Sequence, residues 1–435
     1  MDPASPAAPA APHDPYAALR LPDFRRYVTA RALFSIATQI QGVVVAWQIF
    51  KLTNDPLALG LIGLAEAIPS ITVSLYAGHV ADSVRRKRIV VPAVLVLVLC
   101  AFTLWWLAHP LQEALLERGR LNLSALHATV VWPLYLVIFV SGIARGFLSP
   151  ALFAFMPQLL PDRTHLPNAI TWSSTTWQAS AVLGPAIGGL LITYLGIEFA
   201  YGVDSVLETL ALLFFVSIAS RELPPIEGER LGLAESITSG IKFIFSNQLV
   251  LAALSLDMFA VLFGGAVALL PFFAANVLHS PGSFGSLRAA PAVGSVLMAI
   301  FLTFSPLKKG AGRKMLWAVA GFGAATVAFA LSRNIYLSFF LLFLTGVFDA
   351  VSVIVRSTLV HTYTPEYMKG RVSAVNSIFI GSSNEIGSFE SGAAAKAMGT
   401  VPSVVFGGLM TMGIVAFTAW RADKLRKLEM GAGSK

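Results

Sequence analysis

Apolar residues run along this chain in blocks of about twenty, separated by short polar or basic stretches. A helix rising 1.5 Å per residue needs about twenty residues to cross a hydrocarbon layer about 30 Å thick. On that ruler the sequence predicts an all-α membrane protein of twelve spans, at 24–50, 56–83, 88–108, 131–158, 166–194, 198–219, 248–277, 284–306, 313–331, 336–362, 370–396 and 401–420. The two-residue alternation of an outer-membrane barrel strand does not occur. Pro69, Pro150, Pro157, Pro185, Pro271 and Pro291 interrupt spans. Membrane helices tolerate such breaks where neighbours take up the freed carbonyls, and the breaks mark bends.

The pattern is written twice. Ser141–Gly146 (SGIARG) returns as Thr345–Ala350 (TGVFDA), with Gly142 on Gly346 at an offset of 204 residues. The same offset carries Pro161-Asp162 onto Pro365-Glu366 and Gly188 onto Gly392. Two parallel six-helix copies predict a rocking secondary transporter, with its chemistry at mid-depth between them. The expected layout is a disordered tail over 1–22, a bundle over 23–220, a linker over 221–246, a second bundle over 247–421 and a tail over 422–435. The linker is proline-broken and then reads as an amphipathic helix, LAESITSGIKFIFSN. The stretch 109–130 is one sizeable outer loop, whose helical spacing suits either a cover for the outer mouth or an interfacial helix that only packs.

Composition agrees with lipid as the solvent: of 435 residues 56% are hydrophobic and 12% charged, against about 25% charged in soluble domains. The net charge of +8 is sorted by side. Arg25, Arg26, Arg85–Arg88, Lys308, Lys309, Arg313, Lys314 and Arg421–Lys427 fall in alternate connections, and the intervening ones hold few cations. That bias puts both termini in the cytoplasm and makes basicity a matter of topology, not of nucleic-acid binding. The opening MDPASPAAPAAP lacks a basic start and an apolar run, so no cleaved signal is expected. Cys100 stands alone and excludes an intrachain disulfide; the seven histidines are scattered, so neither a metal nor a cofactor is expected. No P-loop and no arguable hydrolase triad occur, which removes an ATP-driven pump and an enzyme.

After the second span comes Gly78-His-Val-Ala-Asp82-Ser-Val-Arg85-Arg86-Lys87-Arg88. It resembles the signature between the second and third helices of the major facilitator superfamily, although Ser83 and Arg85 depart from the usual base and glycine. There the glycine lets helices approach and the aspartate accepts charge-assisted bonds at a helix end, which makes Gly78, Asp82, Arg86 and Lys87 an inner-gate latch. In the fifth span Gly184-Pro185-Ala-Ile-Gly188-Gly189 resembles the family's G-P-x-x-G-G element, associated with antiporters; small residues one turn apart let backbones touch. Leu21–Tyr27, Trp47-Gln48, Asp55–Gly60, Ala77–Asp82 and Asn384–Gly392 resemble the branch that holds enterobactin-type siderophore exporters and macrolide efflux pumps.

Ionisable groups at mid-depth cost about 2.5–3.5 kcal/mol each on insertion scales, so their positions point to the pathway. Glu66, Arg145, Glu208, Asp257, Asp349 and Glu385 fall there; for Glu208 and for Asp204, also on the sixth span, the twelve-span scheme offers no role. Arg145 and Asp349 occupy matching places in the two copies and are expected to face one cavity from opposite sides. Asp349, Glu66, Asp257 and Glu385 are the proton-coupling candidates; Arg145, Gln39, Trp172 and Arg356 are the substrate-cavity candidates. A permanent buried pair is the other reading of Arg145, and Arg356, two turns from Asp349, is the other partner for that acid. Arg31 and Arg288 lie near boundaries and suit snorkelling. Gln41, Trp47, Trp177, Phe263 and Phe379 are further cavity candidates. The resemblance implies a monomeric carrier in a bacterial inner membrane that exports a small amphipathic or aromatic molecule, such as a siderophore or drug, in exchange for protons. A proton-coupled importer of a nutrient or anion, and a lipid flippase, stay open.

Overall fold

A computed structural model describes residues 16–116, 131–219, 233–305, 307, 310–365 and 368–428. Among the described residues there are helices and turns and no strand. The N-terminal half begins with α1 (Pro22–Thr53), α2 (Pro56–Ser83), α3 (Lys87–Leu116) and α4 (Trp132–Phe155). A continuous run then covers Leu166–Ser217, 52 residues long, more than twice what one crossing needs. It is broken at Gly196, whose φ of 88° and ψ of 169° no helix contains. Partners on α1 show that it doubles back. Gly184 packs on Gln39 and Gly188 on Ile40 and Val43. Beyond the break Tyr201 bonds Gln48, Asp204 bonds Gln41 and Phe215 meets Tyr27. The register on α1 thus rises and then falls, so 166–195 is α5 and 197–217 is α6, an antiparallel hairpin.

The linker helix Leu233–Ser246 leads into the C-terminal half. There α7 spans Gln248–Val277, followed by α8 (Phe284–Phe304), α9 (Ala311–Leu331), α10 (Ile335–Tyr363), α11 (Lys369–Met398) and α12 (Thr400–Arg421). Local chemistry starts these helices. Asp55 accepts from Leu57 N with Pro56 at the first position of α2, and Asn247 and Asn334 cap α7 and α10 in the same way. A cap of this kind is worth about 1 kcal/mol. Residues 117–130, 220–232 and the two chain ends lie outside the described residues, so the expected outer-loop helix beyond Leu116 and the first part of the linker do too.

The two copies repeat in packing as well as in sequence. Gly142 of α4 sits against Pro69 of α2, and Gly346 of α10 sits against Pro291 of α8. Gly399, with φ of 93°, turns α11 into α12 as Gly196 turns α5 into α6. The halves meet along two helix crossings, α2 with α11 and α5 with α8. At each, glycine backbones touch: Gly60 on Gly392, and Gly189 on Gly285. The counterpart of Gly392 is therefore Gly189. Gly188, its match at an offset of 204, faces α1 instead.

The apolar core divides into clusters. One joins both halves at the end away from the chain termini, the distal end, and takes in Trp47, Phe50, Leu104, Leu134, Phe272, Phe284, Phe329 and Val404. At the end that bears the termini one cluster belongs to the N-terminal half alone and another to the C-terminal half alone.

Candidate functional site

Beneath the distal cluster lies a cavity of about 610 Å³ between the halves. Gln39 of α1, Glu66 of α2, Arg288 of α8, Asp349 of α10 and Glu385 of α11 all line it. Apolar walls come from Trp177, Phe284, Phe322 and Phe329, and small polar groups from Ser295, Thr326, Thr345, Asn384 and Ser388. Three carboxyls thus face one guanidinium. The α2–α11 crossing brings two of them together: Gly63, a turn from Glu66, lies against the Glu385 carbonyl and carboxylate. Glu385 interacts electrostatically with Glu66, Arg145 and Arg288.

The wall is not all helix. In α7 the regular turn ends at Phe263, Gly264 and Gly265 break it, and Ala266–Leu269 resumes as a tighter 3₁₀ turn. Phe273–Val277 then widens into a π turn. Val261 and Gly264 to Ala268 face the cavity, whereas Phe263, expected there, does not line it. Irregular backbone at membrane depth survives where it lines a cavity instead of lipid.

Arg145 lies elsewhere than expected. Its guanidinium pairs with Glu66 through NH1 and donates through NH2 to Gln41 Oε1 at 2.8 Å. Gln41 Nε2 donates in turn to Asp204 Oδ2 at 3.1 Å. A polar chain Glu66–Arg145–Gln41–Asp204 thus crosses the N-terminal half through α2, α4, α1 and α6. Arg145 backs the cavity through Glu66 and does not face Asp349. The chain also gives Asp204 and Glu208 a place: both are fully buried within the N-terminal half, not turned to lipid.

In the C-terminal half Arg356 pairs with Asp257, and the two side chains are 6% and 7% exposed. Arg356 therefore has Asp257, not Asp349, as its partner, and neither member of that pair lines the large cavity. A void of about 10 Å³ bounded by Asp257, Asp349 and Ser352 has room for about one water. Trp172 also lies outside the cavity: its ring meets that of Tyr16 at a tilt near the terminal end, and Trp177, more than a turn further along α5, takes the wall position. Arg288, read as a snorkelling residue, is at the cavity instead, because the α5–α8 contact draws its helix inward. The Gly264-Gly265 break and the place of Arg288 were missed. A glycine pair inside an apolar span was the available signal for the first; none marked the second.

The glycine motif on α5 has two faces. Gly184 and Gly188 hold α1, and Gly189 holds α8 of the opposite half; Pro185 lends its carbonyl to the Gly285 contact. Above the cavity Trp47 stacks on Phe284 at 5.5 Å and Phe50 meets Phe272 edge-on at 4.8 Å, closing the distal side from both halves. Lys396 Nζ donates to Asp55 Oδ2 at 2.6 Å across the same seam. At the other end Lys87 Nζ donates to the carbonyls of Val216 at 2.6 Å and Ile218 at 2.5 Å, the C-terminal end of α6 in its own half. A cation there complements the helix dipole. Arg86 is buried beside it. The surroundings of Gly78 and the side chain of Asp82 lie outside what the structure describes.

Two six-helix halves that meet around a polar cavity have the architecture of a membrane transporter. The comparisons name its family. Residues 28–388 match the model described as Major Facilitator Superfamily, and the chain belongs to that family. It is 27% identical over 364 residues to the enterobactin exporter EntS of Shigella boydii serotype 18, covering 81% of this chain and 80% of that protein. The same figures hold for EntS of Escherichia coli O81. Among solved structures a D-xylose-proton symporter superposes with a TM-score of 0.70 at 13% identity, over 94% of this chain and 99% of the other. A POT family transporter in complex with 5-aminolevulinic acid gives 0.69 at 9%, over 93% and 96%. These likenesses to solved structures are likenesses of fold. The chain is a carrier, not an enzyme.

Proposed function

We propose that this carrier exports a small amphipathic or aromatic molecule in exchange for protons, by alternating access between its two halves. The observation that carries the reading is the mid-depth cavity, where Glu66, Asp349 and Glu385 meet between halves that touch through glycine backbones. Carboxyls at that depth bear charge only at a considerable free-energy cost, so binding a proton or a substrate there changes which arrangement of the halves is favoured. Against Arg288 in the cavity and Arg145 behind Glu66, the three leave one carboxyl in surplus for the proton to titrate. Aromatic walls and about 610 Å³ suit a drug-sized ligand.

With both termini in the cytoplasm, as the basic connections indicate, the apolar seal lies on the outer side. The arrangement described is then the inward-facing one, with the latch residue Lys87 engaged within its own half. The outward direction and a siderophore-like substrate draw on the likeness to enterobactin exporters. A bacterial inner membrane and a single-chain working unit complete the reading. Proteoliposomes under an imposed pH gradient test it, with candidate siderophores and drugs as solutes. Wild type moves solute against its gradient; Asp349→Asn or Glu66→Gln abolishes that movement while solute exchange continues. Undiminished driven transport in both variants would remove these carboxyls from coupling.

A further inference from the structure

Inside the N-terminal half, away from the cavity, Asp204 and Glu208 lie one turn apart on α6 and both are fully buried. At i and i+4 they share a helix face. Asp204 Oδ1 and both carboxyl oxygens of Glu208 have no hydrogen-bond partner. Other polar atoms on the same chain of contacts are orphaned as well: Gln48 Nε2 on α1, Arg145 Nε on α4 and, beside Asp204 in sequence, Ser205 Oγ on α6. The groups that face the pair from the packed helices are Gln41 and Gln48 on α1, Glu66 on α2 behind Arg145, Cys100 on α3, Arg145 on α4 and Tyr201 on α6. Arg145 acts electrostatically on both carboxyls. It is the one cation of this chain of contacts, against three carboxyls.

An ionised carboxylate only accepts hydrogen bonds; a protonated one also donates. Two adjacent acceptor-only groups that share a single donor, Gln41 Nε2, are more costly than one carboxylate and one acid. We propose that Asp204 and Glu208 form a buried proton-binding site that holds one shared proton and is linked to the cavity through Gln41, Arg145 and Glu66. The shared proton gives Glu208 a donor toward the free oxygen of Asp204. Arg145 then divides its charge between Glu66 and the pair. When Glu66 takes a proton from water in the cavity, the guanidinium loses one counter-charge and the pair becomes its remaining one. The shared proton is then released to water, and the net charge of the N-terminal interior is unchanged.

The site is a reservoir distinct from the cavity carboxyls, and its test needs neither substrate nor gradient, so its outcome is separate from that of the transport reading. Infrared absorption of the carboxylic-acid carbonyl is followed against pH in the purified full-length protein. The expected result is an acid band at neutral pH that is lost in Glu208→Gln. In Glu66→Gln, which imitates the protonated cavity side, that band disappears at a pH lower by about one to three units. A band unchanged in folded Glu208→Gln overturns the site. Should that variant not fold, Glu66→Gln decides alone: titration of the buried acid at the wild-type pH overturns the link and the shared proton with it.

Discussion

Gly189→Ala is the sharpest perturbation of the seam between the halves. A methyl at Gly189 lands on the Cα of Gly285 and 2.7 Å from its amide nitrogen. Both are backbone atoms in a continuous helix, so no side chain can swing away. The crossing must open by a few tenths of an ångström or more, and overpacking of this kind costs about 1–3 kcal/mol. That strain exists while α5 and α8 touch and is relieved when the distal ends part. The distal-closed arrangement is therefore disfavoured by about 5- to 150-fold relative to the open one. The assay is thiol labelling of Ala46→Cys, a cavity-lining position, by an impermeant reagent supplied from the distal side in a Cys100→Ser background. Labelling speeds up in Gly189→Ala within that range. Gly413→Ala on α12, where an added methyl meets nothing within 4 Å, leaves the rate unchanged. An unaltered or slower rate in folded Gly189→Ala would refute the view that this contact closes the distal side.

Two more outcomes follow from the ion pairs. Arg356→Gln leaves Asp257 buried and unpaired and lowers stability by about 3–5 kcal/mol, whereas Arg356→Met combined with Asp257→Leu regains most of it; thermal unfolding in detergent reads both. Lys396→Gln removes the exposed distal pair with Asp55, an interaction worth about 0–1 kcal/mol, so Ala46→Cys labelling rises less than for Gly189→Ala. The rise over wild type caused by Lys396→Gln fades at high salt.

The spans and their doubling were legible because they rest on strong, local signals. Hydropathy and length fixed most helices. Gly142 and Gly346 carried the repeat, and their proline partners in the fold show why those positions match. Even α11, too polar for hydropathy alone with Asn384, Glu385, Ser388 and Glu390, forms over the expected span 370–396. Three carboxyl candidates, Glu66, Asp349 and Glu385, and the amide candidate Gln39 line one cavity. Helical rotation is what the sequence hides. Arg145 and Asp349 match by position, yet Arg145 is captured by Glu66 and Gln41 inside its own half while Asp349 faces the cavity. Arg356 pairs with Asp257 on α7, a partner on another helix that span-counting does not reveal. Trp172 and Trp177 lie five residues apart, and nothing in the pattern said which of them the kinked α5 would aim inward. The buried acids of α6 acquire meaning only from Gln41, a residue on another helix.

The central claim is that transport requires the distal seam to open and reseal over the cavity. Asp55 and Lys396 meet across that seam, so cysteines at both positions, in a Cys100→Ser background, accept a short reducible thiol crosslinker. The measurement is solute transport in proteoliposomes before crosslinking, after it and after reduction. The structure predicts loss of transport on crosslinking and recovery on reduction, with either single cysteine unaffected. Undiminished transport with the crosslink quantitatively in place would contradict it.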